Sequence, residues 1–117
     1  IRSFDPLLRQ SSHGRAIFLS ASVARVATPY WGAYATSKSG LEMMIQVYAK
    51  ETEKTNLKVN IVDPGITKTS LRASAFPGED PSKLKSPKRL VPLFLKLCSA
   101  ENQAHGQLIK YDEYDEH

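Results

Sequence analysis

A single cysteine, Cys98, stands in 117 residues. No disulfide can close within such a chain, which points to a reducing compartment and, in the plainest reading, the cytoplasm. Long apolar runs are missing as well. Nothing approaches the roughly 18 consecutive apolar residues that a spanning helix requires, and no secretory leader opens the sequence, so no membrane partner is expected. Internal repeats and low-complexity tracts are lacking. His13 and His105 lie far apart, each beside a glycine in a turn; both are expected to face solvent, and no metal site is expected. None of the six glycines falls in a Gly-x-Gly-x-x-Gly pattern, so a loop that would cradle a dinucleotide's phosphates is absent.

What is present is an ordinary globular composition and enough chain for one modest core. The charge is unevenly placed. Asp112, Glu113, Asp115 and Glu116 crowd the last six residues, so residues 1–111 carry sixteen cations against eight acids, a net +8. Such an excess suits an anionic partner, a phosphorylated cofactor or nucleic acid. The densest cluster, "KLKSPKR" (Lys83, Lys85, Lys88, Arg89), holds no aromatic residue on which bases would stack. A solvated loop and helix start is the better reading, and nucleic-acid binding is not expected.

Along the chain, Ile1, Phe4, Leu7 and Leu8 follow helical spacing, as at the end of a helix already under way. "SSHG" breaks it. "RAIFLSAS" (15–22) is a short apolar run typical of a buried parallel strand. A helix is expected from about Ala33 to Lys54, with Leu41, Met44, Ile45 and Tyr48 as one apolar stripe. Gly40, Met43 and Val47 lie beside that stripe. An apolar arc this wide predicts cover on two sides, by the chain's own sheet and by a second subunit.

"LKVNIVDPG" (57–65) reads as a strand and a Pro-Gly turn. Residues 66–85 read as a polar loop with a short helix near "SLRASAF". Ser86 and Pro87 suit the cap and first position of a helix, kinked at Pro92, with Cys98 in its core face. "GQLIKYD" (106–112) is a third strand, and the acidic tail is expected to fray. Strands alternating with helices imply an α/β fold with a parallel sheet covered on both faces. In such sheets ligands bind beyond the carboxyl ends of the strands. Ser22, the Pro64-Gly65 turn and the start of the 33–54 helix all fall there.

That helix opens with "AYATSK" (33–38), in which Tyr34 and Lys38 are four positions apart and share one face. A surface pair is one reading. The other is an acid–base pair, because an ammonium beside a phenol stabilises the phenolate and eases proton transfer.

With strand–"SAS", "AYATSK" and strand–"DPGITKT" in this order, the chain resembles the short-chain dehydrogenase/reductase family. "YWGAYATSK" and "LRASAFPGEDPSKLKSP" bring it nearest to a bacterial branch, the YciK-like oxidoreductases. The resemblance implies a Rossmann-type doubly wound sheet and hydride transfer between a nicotinamide cofactor, NAD or NADP, and a small carbonyl or alcohol substrate. It implies that Tyr34 is the acid/base, that Lys38 holds the nicotinamide ribose and supports Tyr34, and that Ser22 binds the substrate oxygen. Pro64, Gly65 and Ile66 would pass their backbone along the nicotinamide carboxamide. Thr69 would contact the carboxamide or the pyrophosphate, or else merely cap the short helix.

Two departures from the family pattern bear on these roles. Ser22 stands twelve positions before Tyr34, where thirteen is commoner; Ser20 is the alternative serine. Asp63 replaces the usual asparagine before Pro-Gly. The resemblance further implies that residues 1–117 are the carboxyl-terminal catalytic half of the family domain, the dinucleotide-binding half being absent. A second function class follows from that absence: a non-catalytic chain acting only through a helix-pairing, homo-oligomeric surface on helix 33–54.

Overall fold

The computed structural model describes residues 1–115. A short α1 (Asp5–Gln10) leads into β1 (Arg15–Leu19), a 3₁₀ turn (Ser22–Ala24) and the long α2 (Gly32–Glu51). Next come β2 (Lys58–Asp63), α3 (Ser70–Ala75) and 3₁₀ turns at Pro81–Lys83 and Pro87–Leu90. Then α4 (Val91–Cys98), β3 (Leu108–Lys110) and α5 (Tyr111–Asp115) close the described chain. The strands lie in the order β1-β2-β3, all parallel, with Arg15 opposite Lys58 and Ile61 opposite Leu108. This is the α/β fold that the alternation of elements implies.

Because successive strand residues face opposite ways, each strand feeds two cores. Ala16, Val59 and Ile61 pack with Ile45, Tyr48 and Ala49 of α2, and Leu8, Phe18 and Leu41 close that side. Val62 packs on the other side with Leu93 and Leu97 of α4 and with Tyr111, bordered by Ile17, Phe94 and Ile109. Both faces of the sheet are thus covered, as parallel strands require.

Polar anchors lock the layers. The Arg15 guanidinium donates to five carbonyls, those of Gly14, Asn56, Ser99, Ala100 and Asn102, at 2.9–3.3 Å. Three of these follow the end of α4, so a cation from β1 holds the segment that leaves that helix. Buried Asn60 spends both ends of its amide on the 104–107 loop, donating to the Ala104 carbonyl and accepting the Gln107 N–H. Gly14 permits the close approach of α1, since a Cβ there would lie 2.4 Å from the Leu8 carbonyl oxygen.

Several expectations are corrected. β1 ends at Leu19 rather than residue 22, because Ala21 and the 3₁₀ turn redirect the chain. α2 stops at Glu51, where the Thr52 hydroxyl turns back onto the Tyr48 carbonyl. Its inward stripe is Leu41, Ile45, Tyr48 and Ala49 with buried Glu42; Met44 is 52% exposed. Ile1, Phe4 and Leu7 face outward, and only Leu8 of that stripe reaches the core. Pro92 sits in the first turn of α4, where no helical amide is lost, so it does not kink a longer helix. Cys98 is exposed, on the side of α4 away from Leu93 and Leu97.

His105 is not in solvent: its Nδ1 accepts the Val59 N–H, and its Nε2 lies 2.7 Å from the Ala49 carbonyl oxygen. A ring accepting at Nδ1 carries its hydrogen at Nε2, so it joins β2 to α2 as the neutral tautomer. The third strand spans only Leu108–Lys110, and the tail expected to fray begins with α5; Glu116 and His117 lie outside the described residues. Among the described residues no helix is long and apolar enough to cross a membrane.

Candidate active site

The carboxyl ends of β1 and β2 point to the start of α2. The 3₁₀ turn at Ser22–Ala24 packs on that helix, and the Ser39 hydroxyl fastens it by donating to the Ala24 carbonyl at 2.7 Å. Lys38 leans over Tyr34, its Nζ 5.8 Å from the ring centre, and reaches the Leu19 carbonyl at 3.4 Å. The pair therefore faces the end of β1, and Tyr34 is 37% exposed. Ser22 opens the 3₁₀ turn with its side chain exposed; among the described residues no partner engages its hydroxyl. Ser20 differs: it is buried, and its hydroxyl donates to Glu42 Oε1 at 2.6 Å.

Beneath these groups lies an ionic network that sequence reasoning missed. Arg25 donates to both Glu42 and Asp63, whose side chains are each 8% exposed. Asp63 also accepts the Gly65 N–H at 3.1 Å. The acid before Pro-Gly is thereby explained, because a carboxylate answers Arg25 and an asparagine would leave that cation half-paired. Glu42 carried the one signal visible in sequence, an acid flanked by Leu41 and Met43 and one turn from Ile45.

After β2 the chain turns at Gly65 with φ +68°, a conformation that glycine adopts without steric cost. Lys85 Nζ donates to the Pro64 carbonyl at 2.6 Å, lies 4.0 Å from the centre of the Tyr111 ring and sits 3.4 Å from Asp112. Thr67 donates to the Gly65 carbonyl, and a β-bridge joins Thr67 to Lys85. Thr69 caps α3, accepting the Arg72 N–H at 3.1 Å. Ile66 is 54% exposed at the turn.

The 66–85 segment returns to α2 through aromatic contacts. Phe76 stacks on Trp31 at 5.6 Å and 13°, and Trp31 meets Tyr34 edge-on at 5.7 Å. Arg72 lies over the Phe76 ring at 3.7 Å and forms a two-point ion pair with Glu79 at 2.7 and 2.9 Å. That guanidinium holds the Glu79 carboxyl below its ordinary range. An apolar cavity of about 410 Å³ opens against Leu19, Pro64, Thr67, Thr69, Val91 and Leu95. The structure thus gathers Tyr34, Lys38 and the Ser22 turn at the end of β1, and Pro64, Gly65, Ile66 and Thr69 at the end of β2. Among the described residues no cluster of His, Cys, Asp or Glu suits a metal ion.

A parallel sheet with helices on both faces and polar groups at its strand ends is a doubly wound α/β protein. The sequence profile of the short chain dehydrogenase family matches residues 1–80, more than half of the chain, and the chain belongs to that family. It is 48% identical over 98 residues to the uncharacterized oxidoreductase YciK of Escherichia coli (strain K12), covering 84% of this chain and 38% of that one. A short chain dehydrogenase structure from Shigella flexneri 2a str. 301 complexed with NADP superposes with TM-score 0.89 at 43% identity, over 95% of this chain and 46% of that one. One from Escherichia coli CFT073 complexed with NADPH gives TM-score 0.87 at 44% identity, over 93% and 45%. The chain spans less than half the length of these relatives.

Proposed function

We propose that these residues form the catalytic half of an NAD(P)-dependent oxidoreductase acting on a small carbonyl or alcohol. The observation that carries this is the Tyr34–Lys38 pair on the first turns of α2, aimed at the end of β1. Relatives bound to NADP and NADPH support the cofactor class. The residues present fit it. Pro64 and Thr69, at and beyond the end of β2, border an apolar wall suited to a flat ring. Pro64, Gly65, Ile66 and Thr69 would hold the nicotinamide end, and Lys38 would hold the ribose.

The nicotinamide, when bound, supplies or accepts the hydride. Tyr34 gives its phenolic proton to the substrate oxygen in reduction and takes it back in oxidation. Lys38 places a positive charge beside the ring and so stabilises the phenolate left behind. Ser22, at the mouth of the site, donates to the same oxygen and stabilises its developing charge. Ser20 is ill placed for that, since its hydrogen is already given to Glu42. Thr69 accepts from Arg72 through its oxygen and keeps its own hydrogen for a ligand. We place the dinucleotide-binding half of the site outside residues 1–117, which hold no glycine-rich phosphate loop, and the protein in the cytoplasm.

The test is reduction of a panel of aldehydes and ketones by the intact protein with NADPH or NADH. Tyr34→Phe should lower turnover by about 10²–10⁴-fold, the contribution of a positioned acid, while NADPH still binds. Turnover retained in that variant overturns the assignment.

One observation favours a second, compatible reading. Met43 and Val47 on α2 are 61% and 49% exposed, and Phe4, just before α1, and Leu7 on α1 are exposed too. A second copy of the chain covering this face would make a homo-oligomer, and sedimentation of a monomer at micromolar concentration would refute it.

A further inference from the structure

The peptide joining Pro64 to Gly65 is gripped at both of its polar ends, and the two grips come from opposite sides. Its carbonyl accepts from Lys85 Nζ at 2.6 Å. Its N–H donates to Asp63 Oδ1 at 3.1 Å, and Asp63 is in turn fixed by Arg25. A planar peptide held at both ends cannot rotate about its flanking bonds without breaking one of them. The Asp63 contact is local, two residues away. Lys85 is twenty-one residues distant, so it is the tertiary half of the clamp.

Lys85 is built for that task. Its side chain is only 10% exposed. Its Nζ lies over the face of buried Tyr111, a cation–π arrangement that compensates for lost water. Asp112 supplies a partial counter-charge at 3.4 Å, though it is itself largely exposed. The Lys85 backbone is also fastened to the loop, through its β-bridge to Thr67 and through its carbonyl, which accepts the Lys68 N–H at 2.8 Å. Space round the turn is filled as well: a Cβ on Gly65 would come within 2.9 Å of Asp112 Oδ2 and 3.1 Å of Lys85 Nζ. By contrast Lys83, Lys88 and Arg89 of the same basic run are exposed.

We propose that Lys85 is a positioning residue, whose ammonium fixes the Pro64–Gly65 peptide so that the turn presents its backbone to the nicotinamide end of the cofactor. This rests on the oxidoreductase reading for the identity of the ligand, but the clamp itself does not. Lys85 touches neither substrate nor cofactor; it acts through the Pro64 carbonyl.

Two measurements test the two parts. In the intact protein without cofactor, amide hydrogen exchange at Gly65 should quicken by about tenfold in Lys85→Met, the scale of one lost charge-assisted hydrogen bond. Exchange at Val59 and Ile61, deep in β2, should not change, and Lys85→Arg, which keeps a donor and a ring-stacking cation, should restore Gly65. In the intact protein, fluorescence titration with NADPH should show Lys85→Met binding about tenfold more weakly, with Lys83→Met unchanged and Lys85→Arg largely rescued. Unaltered exchange at Gly65, or exchange raised equally throughout β2, overturns the clamp. Quickened exchange with unaltered NADPH affinity overturns its link to the cofactor. An intact wild-type protein that binds NADPH but reduces no carbonyl sinks the catalytic reading and leaves the clamp standing.

Discussion

Arg25→Met would leave two carboxylates facing each other in a nearly dry site. Glu42 and Asp63 are each 8% exposed and share this one guanidinium. Removing one member of a buried ion group typically costs 3–5 kcal/mol, because the partners stay buried without their counter-charge. Arg25's side chain is itself 26% exposed, so water can partly replace it, and about 3 kcal/mol is the fitting expectation. At about 2.1 cal/mol/K per residue, unfolding entropy for this length is about 0.25 kcal/mol/K, which converts that loss to a drop in Tm of about 12 °C.

Urea unfolding followed by circular dichroism measures the free energy, and a thermal scan measures the shift. The decisive comparison is the neutral triple variant Arg25→Met, Glu42→Gln, Asp63→Asn. It keeps acceptors for Ser20 and for the Gly65 N–H while removing every charge, and it should recover most of the lost stability. A single-variant cost below about 1 kcal/mol, the size of a solvated surface pair, refutes the reasoning. So does a triple variant no more stable than the single.

Two further outcomes follow from other contacts. Arg15→Met strips donors from five carbonyls and should cost about 2 kcal/mol by urea unfolding; Arg15→Lys should regain only part, since one ammonium cannot span them. Tyr48 donates to Asp5 Oδ1 at 2.6 Å, and burial together with that carboxylate pushes its phenol up to about 12. An unfolded tyrosine ionises near 10, so this group's contribution is intact below pH 10 and is lost as the pH rises toward 12. Tyr48→Phe should flatten the alkaline fall in stability, and an unchanged pH profile would count against the assignment.

The order of elements was legible because apolar runs and helical stripes are local signals. Tyr34, Lys38 and the Pro-Gly turn were legible for the same reason, each being a short pattern next to a strand end. Strand and helix ends were less so: β1 stops where a 3₁₀ turn redirects the chain, and no single residue announces that. His105 read as a solvent-facing turn residue because both of its partners, the Val59 amide and the Ala49 carbonyl, are backbone groups far off in sequence. Lys85 was hidden more thoroughly. It stands in a basic run whose other members are exposed, and only the return of Tyr111 and Asp112 beside the Pro64 turn sets it apart. Trp31 and Phe76 are forty-five positions apart and meet only after the 66–85 segment folds back.

The candidate site is also divided between two stretches of the chain. Tyr34, Lys38 and the Ser22 turn all lie between β1 and β2, so closing one strand–helix–strand unit brings them to the sheet's edge. The Pro64–Gly65 turn emerges from that same unit, but its anchors at Lys85, Tyr111 and Asp112 are carried by later segments. Closing that unit is enough to bring Tyr34 and Lys38 to the sheet's edge, whereas fixing the strand-end turn also requires β3 and α5. A nascent or partly unfolded protein would hold Tyr34 and Lys38 in register while the turn beside them still swings.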